Sequence, residues 1–248
     1  MAGHSHWARI KRAKSVTDAR RGKAWSKLAR AIIVAARGGG GDPSANLALR
    51  YAIEAARAEN MPKDTIERAI KKGTGELGTE QYVELVYEGY GPGGVAIYCT
   101  ALTDNRTRTA GEVKNIFERH GGNLSAPGAV AWMFGKRGVV RVPAAGADEE
   151  ALTAVALEVG ADDVRADGDG FEISCDPAVF DALRKALSEQ NVTPETAEIT
   201  MVASSTVRVE GEKAQKLMKL IEALEDQDDI QKVYANFELS EAEMQRLT

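Results

Sequence analysis

Apolar residues in the first 75 positions recur every three to four residues, which is the spacing of amphipathic helices. The clearest case runs from Thr17 to Gly38. At 100° per residue, one side of this predicted helix carries Trp25, Leu28, Ala29, Ile32, Ile33 and Ala36. The glycines at 38–41 predict where the helix ends, because glycine readily leaves the helical conformation.

Two further helices are predicted before residue 75. Asp42-Pro43-Ser44 favours the start of a helix over residues 45–60, with Leu47, Tyr51 and Ala55 on its inner face. Proline is tolerated in the first turn of a helix, so Pro62 marks the start of a third helix that ends near Lys72. The pattern predicts a helical domain over residues 1–80.

From residue 82 the hydrophobic period changes from 3.6 to 2, which predicts strands. Residues 82–88 and 95–102 form a predicted hairpin joined by the loop Gly89–Gly94. Asp104-Asn105 can cap a helix that runs to about His120, and a further strand is predicted over residues 129–134.

From Gly138 to Val202 the predicted order is β-α-β-β-α-β, which is the ferredoxin-like arrangement. A helix (211–225) and a strand (230–237) follow, and we expect them to complete the sheet that began at residue 82. The predicted fold class is α+β in three domains, with a helical N-terminal domain followed by two ferredoxin-like α/β domains with antiparallel sheets. The expected boundaries are 1–80, a discontinuous domain of 81–136 and 204–248, and an inserted domain of 137–203.

Charge is distributed unevenly along the 248 residues, although the net charge is only −5. Residues 1–80 hold 16 Lys and Arg against 8 Asp and Glu, whereas the remaining 168 residues hold 16 against 29. Residues 1–37 contain ten cations and a single acid, Asp18. A basic end on an acidic body predicts binding to a polyanion, and we expect a nucleic acid.

The predicted nucleic-acid-binding residues fall into three groups. Five cations share one 100° sector of the first helix, opposite its apolar side, and can contact successive phosphates. Four more lie in the segment before it, and two lie in the first turn of the helix after Asn105, where a bound phosphate would explain cations that oppose the helix dipole. They are Arg20, Lys23, Lys27, Arg30 and Arg37; Arg9, Lys11, Arg12 and Lys14; and Arg106 and Arg108. The alternative is that the last two pair with acids of the same domain, such as Glu84 or Glu88.

Other kinds of chemistry find little support in the sequence. No Cys/His metal-ligand spacing, phosphate-loop motif or nucleophile–base pair is present, so we predict no metal, no cofactor, no small-molecule substrate and no catalytic residue. A carboxylate enzyme stays a remote alternative. Acids that converge in an interdomain cavity would favour catalysis, whereas a basic wall would favour nucleic-acid binding. Cys99 and Cys175 lie in strand-like runs and fit a reducing compartment. With no membrane-spanning run and no signal peptide, we expect a cytoplasmic monomer.

Several long blocks resemble the YebC family, in order and over nearly the whole chain. They are MAGHSHWARIKRAK, DARRGKAWSKLARAIIVAARGGGGDP, ANLALRYAIEAARAENMPKDTIERAIKKG, YEGYGPGGVAIYC, TDNRTRTAGEVKNIFERHGGNL and LMKLIEALEDQDDIQKVYANFEL. The chain departs from the family's usual residues at His6, Arg9 and Trp25, and none of these changes the charge pattern.

The resemblance implies a cytosolic bacterial protein of three domains that regulates gene expression without catalysis. The family is widely described as probable transcriptional regulators that bind DNA. Its mitochondrial branch activates translation of cytochrome c oxidase, and bacterial members are linked to ribosomes stalled on proline-rich chains. The residues add one consideration, because Lys and Arg alone position a protein on phosphates without reading base sequence. DNA and ribosomal RNA, with the ribosome as a further partner, therefore stay open as alternatives.

Overall fold

The computed structural model describes residues 18–78, 81–145, 147–168 and 170–247, with the backbone alone for residues 18–21, 241, 245 and 247. Three helices come first. They are α1 (Asp18–Gly39), α2 (Leu47–Ala58) and α3 (Lys63–Gly73). The apolar side of α1 packs against the other two helices and buries Ile32, Ile33 and Ala36, with Trp25, Leu28 and Ala29 partly buried beside them. The apolar face predicted for this helix is therefore confirmed.

The predicted inner face of α2 is wrong. Leu47 is 50% exposed, and the core of the helical domain instead contains Leu49, Ile53 and Ala56. Tyr51 points away from that core and packs edge-on against Phe180 of a later helix, with ring centres 6.2 Å apart. The error has a physical reason, because α2 carries apolar residues on two sides and contacts a different domain on each.

The first sheet contains four strands in the order β3-β1-β2-β9. Their bounds are β1 (Val83–Gly91), β2 (Val95–Thr103), β3 (Asn123–Leu124) and β9 (Ile230–Ala235). A 3₁₀ turn, Pro92–Gly94, joins β1 to β2 as a hairpin. Gly93 and Gly94 have φ angles of 83° and 77°, which glycine adopts without strain.

Two helices cover this sheet. They are α4 (Arg106–Arg119), which follows β2, and α7 (Gly211–Asp226), which precedes β9. Their apolar residues form one core with the sheet, including Val113 and Phe117 of α4 and Leu217 and Leu220 of α7. The last helix and strand therefore return to the sheet that began at Val83. A short parallel pair, β8 (Val207–Arg208) and β10 (Phe237–Glu238), and helix α8 (Glu241–Leu247) complete this unit.

The second sheet is antiparallel, with the order β5-β6-β4-β7. Its elements are β4 (Phe134–Pro143), α5 (Glu149–Val159), β5 (Asp163–Asp167), β6 (Gly170–Cys175), α6 (Phe180–Glu189) and β7 (Thr196–Ala203). This order is ferredoxin-like, so the predicted fold class is confirmed. The strand predicted at residues 129–134 is absent, because Ala131–Met133 form a 3₁₀ turn and the strand begins at Phe134.

Cys99 and Cys175 are both buried as free thiols. Among the described residues, no helix has the length and apolar character needed to span a membrane.

Candidate nucleic-acid interface

The carboxyl end of α7 and the turn after it carry four acids. We call residues 225–229 the acidic turn; they are Glu225, Asp226, Gln227, Asp228 and Asp229. The Gln227 side-chain oxygen accepts hydrogen bonds from the backbone N–H groups of Asp229 and Ile230, at 2.7 and 2.8 Å. This arrangement fixes the turn. The carboxyl end of a helix carries partial negative charge, so the backbone carbonyls and the carboxylates at this end of α7 form one anionic surface.

The cationic side of α1 lies against this acidic turn. The Lys23 ammonium donates to the Asp226 carbonyl at 3.2 Å and lies 3.7 Å from the Asp228 carboxylate. One turn further on, Lys27 donates to the Glu225 carbonyl at 2.6 Å. The Arg30 guanidinium donates to the carbonyl of Asp228 and, at 3.2 Å, to the carboxylate of Asp229. Three of the predicted phosphate-binding residues are thus bound to oxygen atoms of the protein itself.

Asp229 is the centre of the junction. The residue is 3% exposed, and one of its carboxylate oxygens accepts from Arg108 at 2.8 Å, from the Thr109 hydroxyl at 2.7 Å and from the Thr103 hydroxyl at 3.2 Å. The other oxygen accepts from Arg30. Burial acts to raise the pKa of Asp229, but the hydrogen bonds from Arg108 and Thr109, with the charges of both arginines, hold it below its usual value. Asp229 therefore joins α1, β2 and α4 as a buried anion.

The two predicted basic sites meet at this carboxylate. Arg108 also donates to Asp104 at 2.8 Å, so it pairs with two acids of its own domain, as in the alternative interpretation, but these are Asp229 and Asp104 and not Glu84 or Glu88. Asn105 caps α4 as predicted, and its side-chain oxygen accepts from the backbone N–H of Arg108 at 3.0 Å.

The remaining predicted residues occupy different surroundings. Arg37, in the last turn of α1, and Arg106, at the start of α4, are exposed. Arg20 belongs to α1, but its side chain is outside the described atoms. Arg9, Lys11, Arg12 and Lys14 lie outside the described residues altogether. Nothing in the sequence near residue 229 indicates its role, because its partners are up to 199 positions away.

The contact with the acidic turn perturbs the ionisation of Lys27. Desolvation lowers its pKa to about 8, against partial compensation by the charges of Glu225, Asp228 and Asp226. A pKa unit corresponds to about 1.4 kcal/mol, so the buried ammonium opposes the docked arrangement by an amount on the order of 1–3 kcal/mol. A side chain retained at a cost to stability is a candidate for binding a ligand.

Replacing Lys27 by Met is therefore expected to raise the free energy of unfolding by about 1–3 kcal/mol at pH 7. The folded-state pKa is about 8, below the ordinary value of 10.5, so the penalty is complete below pH 8 and disappears above about pH 10.5. Urea unfolding of both proteins at pH 7 and pH 10 measures this difference. Lys23→Met, at a site that is 53% exposed, is the control and should change stability by less than about 0.5 kcal/mol. A loss of stability in Lys27→Met at pH 7 would contradict the account.

A cleft of about 1430 Å³ lies between the helical domain and both sheets. Its floor includes small apolar residues of α1 and α2, and its charged lining consists of five acids and three cations. They are Glu54, Glu59, Glu84, Glu195 and Glu198, and Lys27, Arg184 and Lys232. Three of the acids pair with cations: Glu54 with Arg184 at 3.1 Å, Glu198 with Lys232 at 2.5 Å and Glu195 with Arg141 at 3.0 Å. The cleft is thus neither a basic wall nor a set of unpaired converging acids.

Comparison with known proteins matches both the helical domain and the two sheet units to one family. Residues 5–76 match a family model described as the TACO1/YebC protein N-terminal domain, and residues 82–237 match the TACO1/YebC second and third domain. A "Probable transcriptional regulatory protein" of Natranaerobius thermophilus is 51% identical over 248 residues and covers 99% of each chain. A protein of Geobacter sulfurreducens, also named a probable transcriptional regulatory protein, is 50% identical over 247 residues and covers 100% of both.

The crystal structure of a conserved hypothetical protein from Aquifex aeolicus is similar in fold. It superposes with a TM-score of 0.80 at 50% identity, covering 90% of this chain and 93% of that one. The residues matched by the two family models include α1, the acidic turn and both sheets. The chain belongs to the TACO1/YebC family of regulatory proteins.

Proposed function

We propose that this protein regulates gene expression, without catalysis, by binding the phosphate backbone of a nucleic acid through the cationic side of α1. The observation that carries the proposal is the row formed by Lys23, Lys27 and Arg30. Each already donates hydrogen bonds to oxygen atoms of an anionic surface. Phosphate oxygens accept from the same donors, and the names of the relatives point to transcriptional regulation.

Binding requires phosphate to replace the acidic turn as the partner of these cations, and the energetics permit this exchange at Lys23 and Lys27. The Lys23–Asp228 pair has exposed fractions of 53% and 67%, and pairs as exposed as this contribute about 0–1 kcal/mol. Lys27 gains hydration when it leaves the turn, since burial lowers its pKa. Arg37 and Arg106 are exposed and add to the basic surface to which a polyanion is attracted.

DNA and ribosomal RNA are the two candidate targets. The relatives' names favour DNA. Phosphate contacts by Lys and Arg position a protein without distinguishing base sequence, and this consideration favours RNA recognised by shape.

Crosslinking the protein to nucleic acid in cells and sequencing what is attached separates the two. Enrichment of promoter DNA without ribosomal RNA would support transcriptional control, whereas a predominance of ribosomal RNA would support a ribosome-associated translation factor. In either case the purified protein should bind with log K falling steeply against log salt concentration. Recovery of neither nucleic acid above a mock control would refute the proposal.

A further inference from the structure

Trp132 is the most exposed large hydrophobic side chain among the described residues, with 72% of its surface accessible. It lies in the 3₁₀ turn Ala131–Met133, between two residues that point inward. Val130 is fully buried and Phe134 is 7% exposed, and both pack with Tyr90 and Tyr98 in a small core of their own. The loop is therefore anchored on both sides of an indole ring that faces solvent.

A buried carboxylate holds this loop. Glu88 of β1 is 5% exposed, and one of its oxygens accepts from the backbone N–H of Gly128 at 2.7 Å. Its other oxygen accepts from the N–H groups of Val130 and Ala131, each at 2.7 Å. Burial acts to raise the pKa of Glu88, but these three hydrogen bonds hold it below its usual value. We call residues 125–133 the Glu88 loop.

The polar edge of the indole is already occupied. Its N–H donates to the carbonyl of Ala129 at 3.2 Å, and the Tyr90 hydroxyl donates to the same carbonyl at 3.3 Å. The ring therefore has a fixed orientation and offers its π faces, not a hydrogen-bond donor, to an incoming group. Fixing the ring in advance reduces the entropy that a ligand must remove on binding.

The electrostatic surroundings of the Glu88 loop differ from those of the rest of the two sheet units. Residues 119–147 contain no Asp or Glu, although residues 81–248 hold 29 acids against 16 cations. Lys136, four positions after Trp132, is exposed, and Arg137 is half-exposed and 3.8–3.9 Å from two acids. This stretch of sequence therefore contributes cations and no acids to the surroundings of the ring.

We propose that Trp132 is a stacking platform for an unpaired nucleobase, presented by the Glu88 loop. Stacking suits an aromatic face with nearby cations, and it tolerates any base because every base has a π face. The proposal rests on the proposed nucleic-acid-binding function and adds to it a preference for unpaired over fully paired strands. A protein partner is the competing explanation, since exposed tryptophan is also common at protein interfaces.

The test measures dissociation constants for a single-stranded RNA of about 12 nucleotides, the DNA of the same sequence, and the blunt duplex of that DNA. Trp132→Ala should weaken binding to both single strands by about 10-fold and leave duplex binding and the salt dependence unchanged. Trp132→Phe should retain most of the affinity. Leu157→Ala, which removes another large exposed side chain at 71% exposure, is the matched control and should change nothing.

Fluorescence gives a second readout that a structural role would not produce. Stacking of a base should quench the indole emission of the full chain, and the quenching should largely disappear in Trp132→Phe. Equal single-strand affinity in Trp132→Ala and the unsubstituted chain would overturn the stacking platform and assign the ring to a protein partner. Equal weakening on single strand and duplex would also overturn it. If the unsubstituted chain binds none of the probes, the proposed function fails, and the stacking proposal fails with it.

Discussion

Replacing Asp229 by Asn is expected to lower the free energy of unfolding by about 3–5 kcal/mol, because it removes the charge from a buried ion pair and leaves its partners in place. Asp229 is 3% exposed, and its side chain accepts hydrogen bonds from Arg30, Arg108, Thr103 and Thr109. The amide is nearly isosteric, but it offers one acceptor oxygen where the carboxylate offers two.

The pH dependence gives the same expectation by an independent route. The folded-state pKa of Asp229 lies below its ordinary value, so its contribution is complete above about pH 4 and is lost as the pH falls through the folded-state pKa. The stability difference between the unsubstituted protein and Asp229→Asn should therefore be constant between pH 5 and 8 and shrink in stronger acid.

Equilibrium urea unfolding between pH 5 and 8 and in stronger acid is the measurement. Asp228→Asn is the matched control, because the neighbouring carboxylate is 67% exposed and lies 3.7 Å from an exposed lysine. We expect this control to change stability by less than about 1 kcal/mol. Similar effects for the two substitutions would show that the Asp229 junction does not hold the domains together as described.

The sequence predicted those features of the fold that depend on local periodicity. The 3.6-residue pattern identified α1 and its buried side, and the order of elements after Gly138 identified the ferredoxin-like sheet. The same pattern failed for α2, where Leu47 was assigned inward and Leu49 is buried instead. Periodicity identifies one apolar face that is expected to be buried, but a helix that contacts two domains has two such faces.

Only one of the two surfaces of the candidate site could be predicted from the sequence. The cationic side of α1 is visible in the sequence, but the surface that it contacts is about 200 positions away and is brought there by the sheet topology. Asp229 was missed because one aspartate among 37 acids carries no local signal. Trp132 was missed because its neighbours resemble a strand, and only the bonds to Glu88 reveal a turn that directs the ring outward.

Replacing Lys23, Lys27 and Arg30 together by Glu is expected to reduce nucleic-acid affinity by roughly 100-fold or more at moderate salt. Each side chain supplies one phosphate contact in the proposed complex. The slope of log K against log salt should therefore decrease in magnitude by about three.

The same substitution also sets three new carboxylates against the acidic turn, so lost binding alone could reflect separated domains. A second variant, in which the acidic turn is neutralised, tests the same contact from the other side. Asp226→Asn combined with Asp228→Asn weakens the competing anionic surface, and it should increase affinity by a few-fold if phosphate and the turn compete for the same cations.

Filter-binding or fluorescence-anisotropy titrations at four salt concentrations measure the affinities of both variants and of the unsubstituted protein. A third variant, with Lys213, Lys216 and Lys219 of α7 replaced by Glu, is the matched control. It changes the net charge by the same amount at exposed positions of another helix, and we expect a smaller loss of affinity with little change in slope. Equal losses in the two charge-reversed variants would mean that net charge alone governs binding. Reduced affinity after neutralising the turn would mean that α1 binds phosphate only while it is held against residues 225–229, and competition would then be excluded.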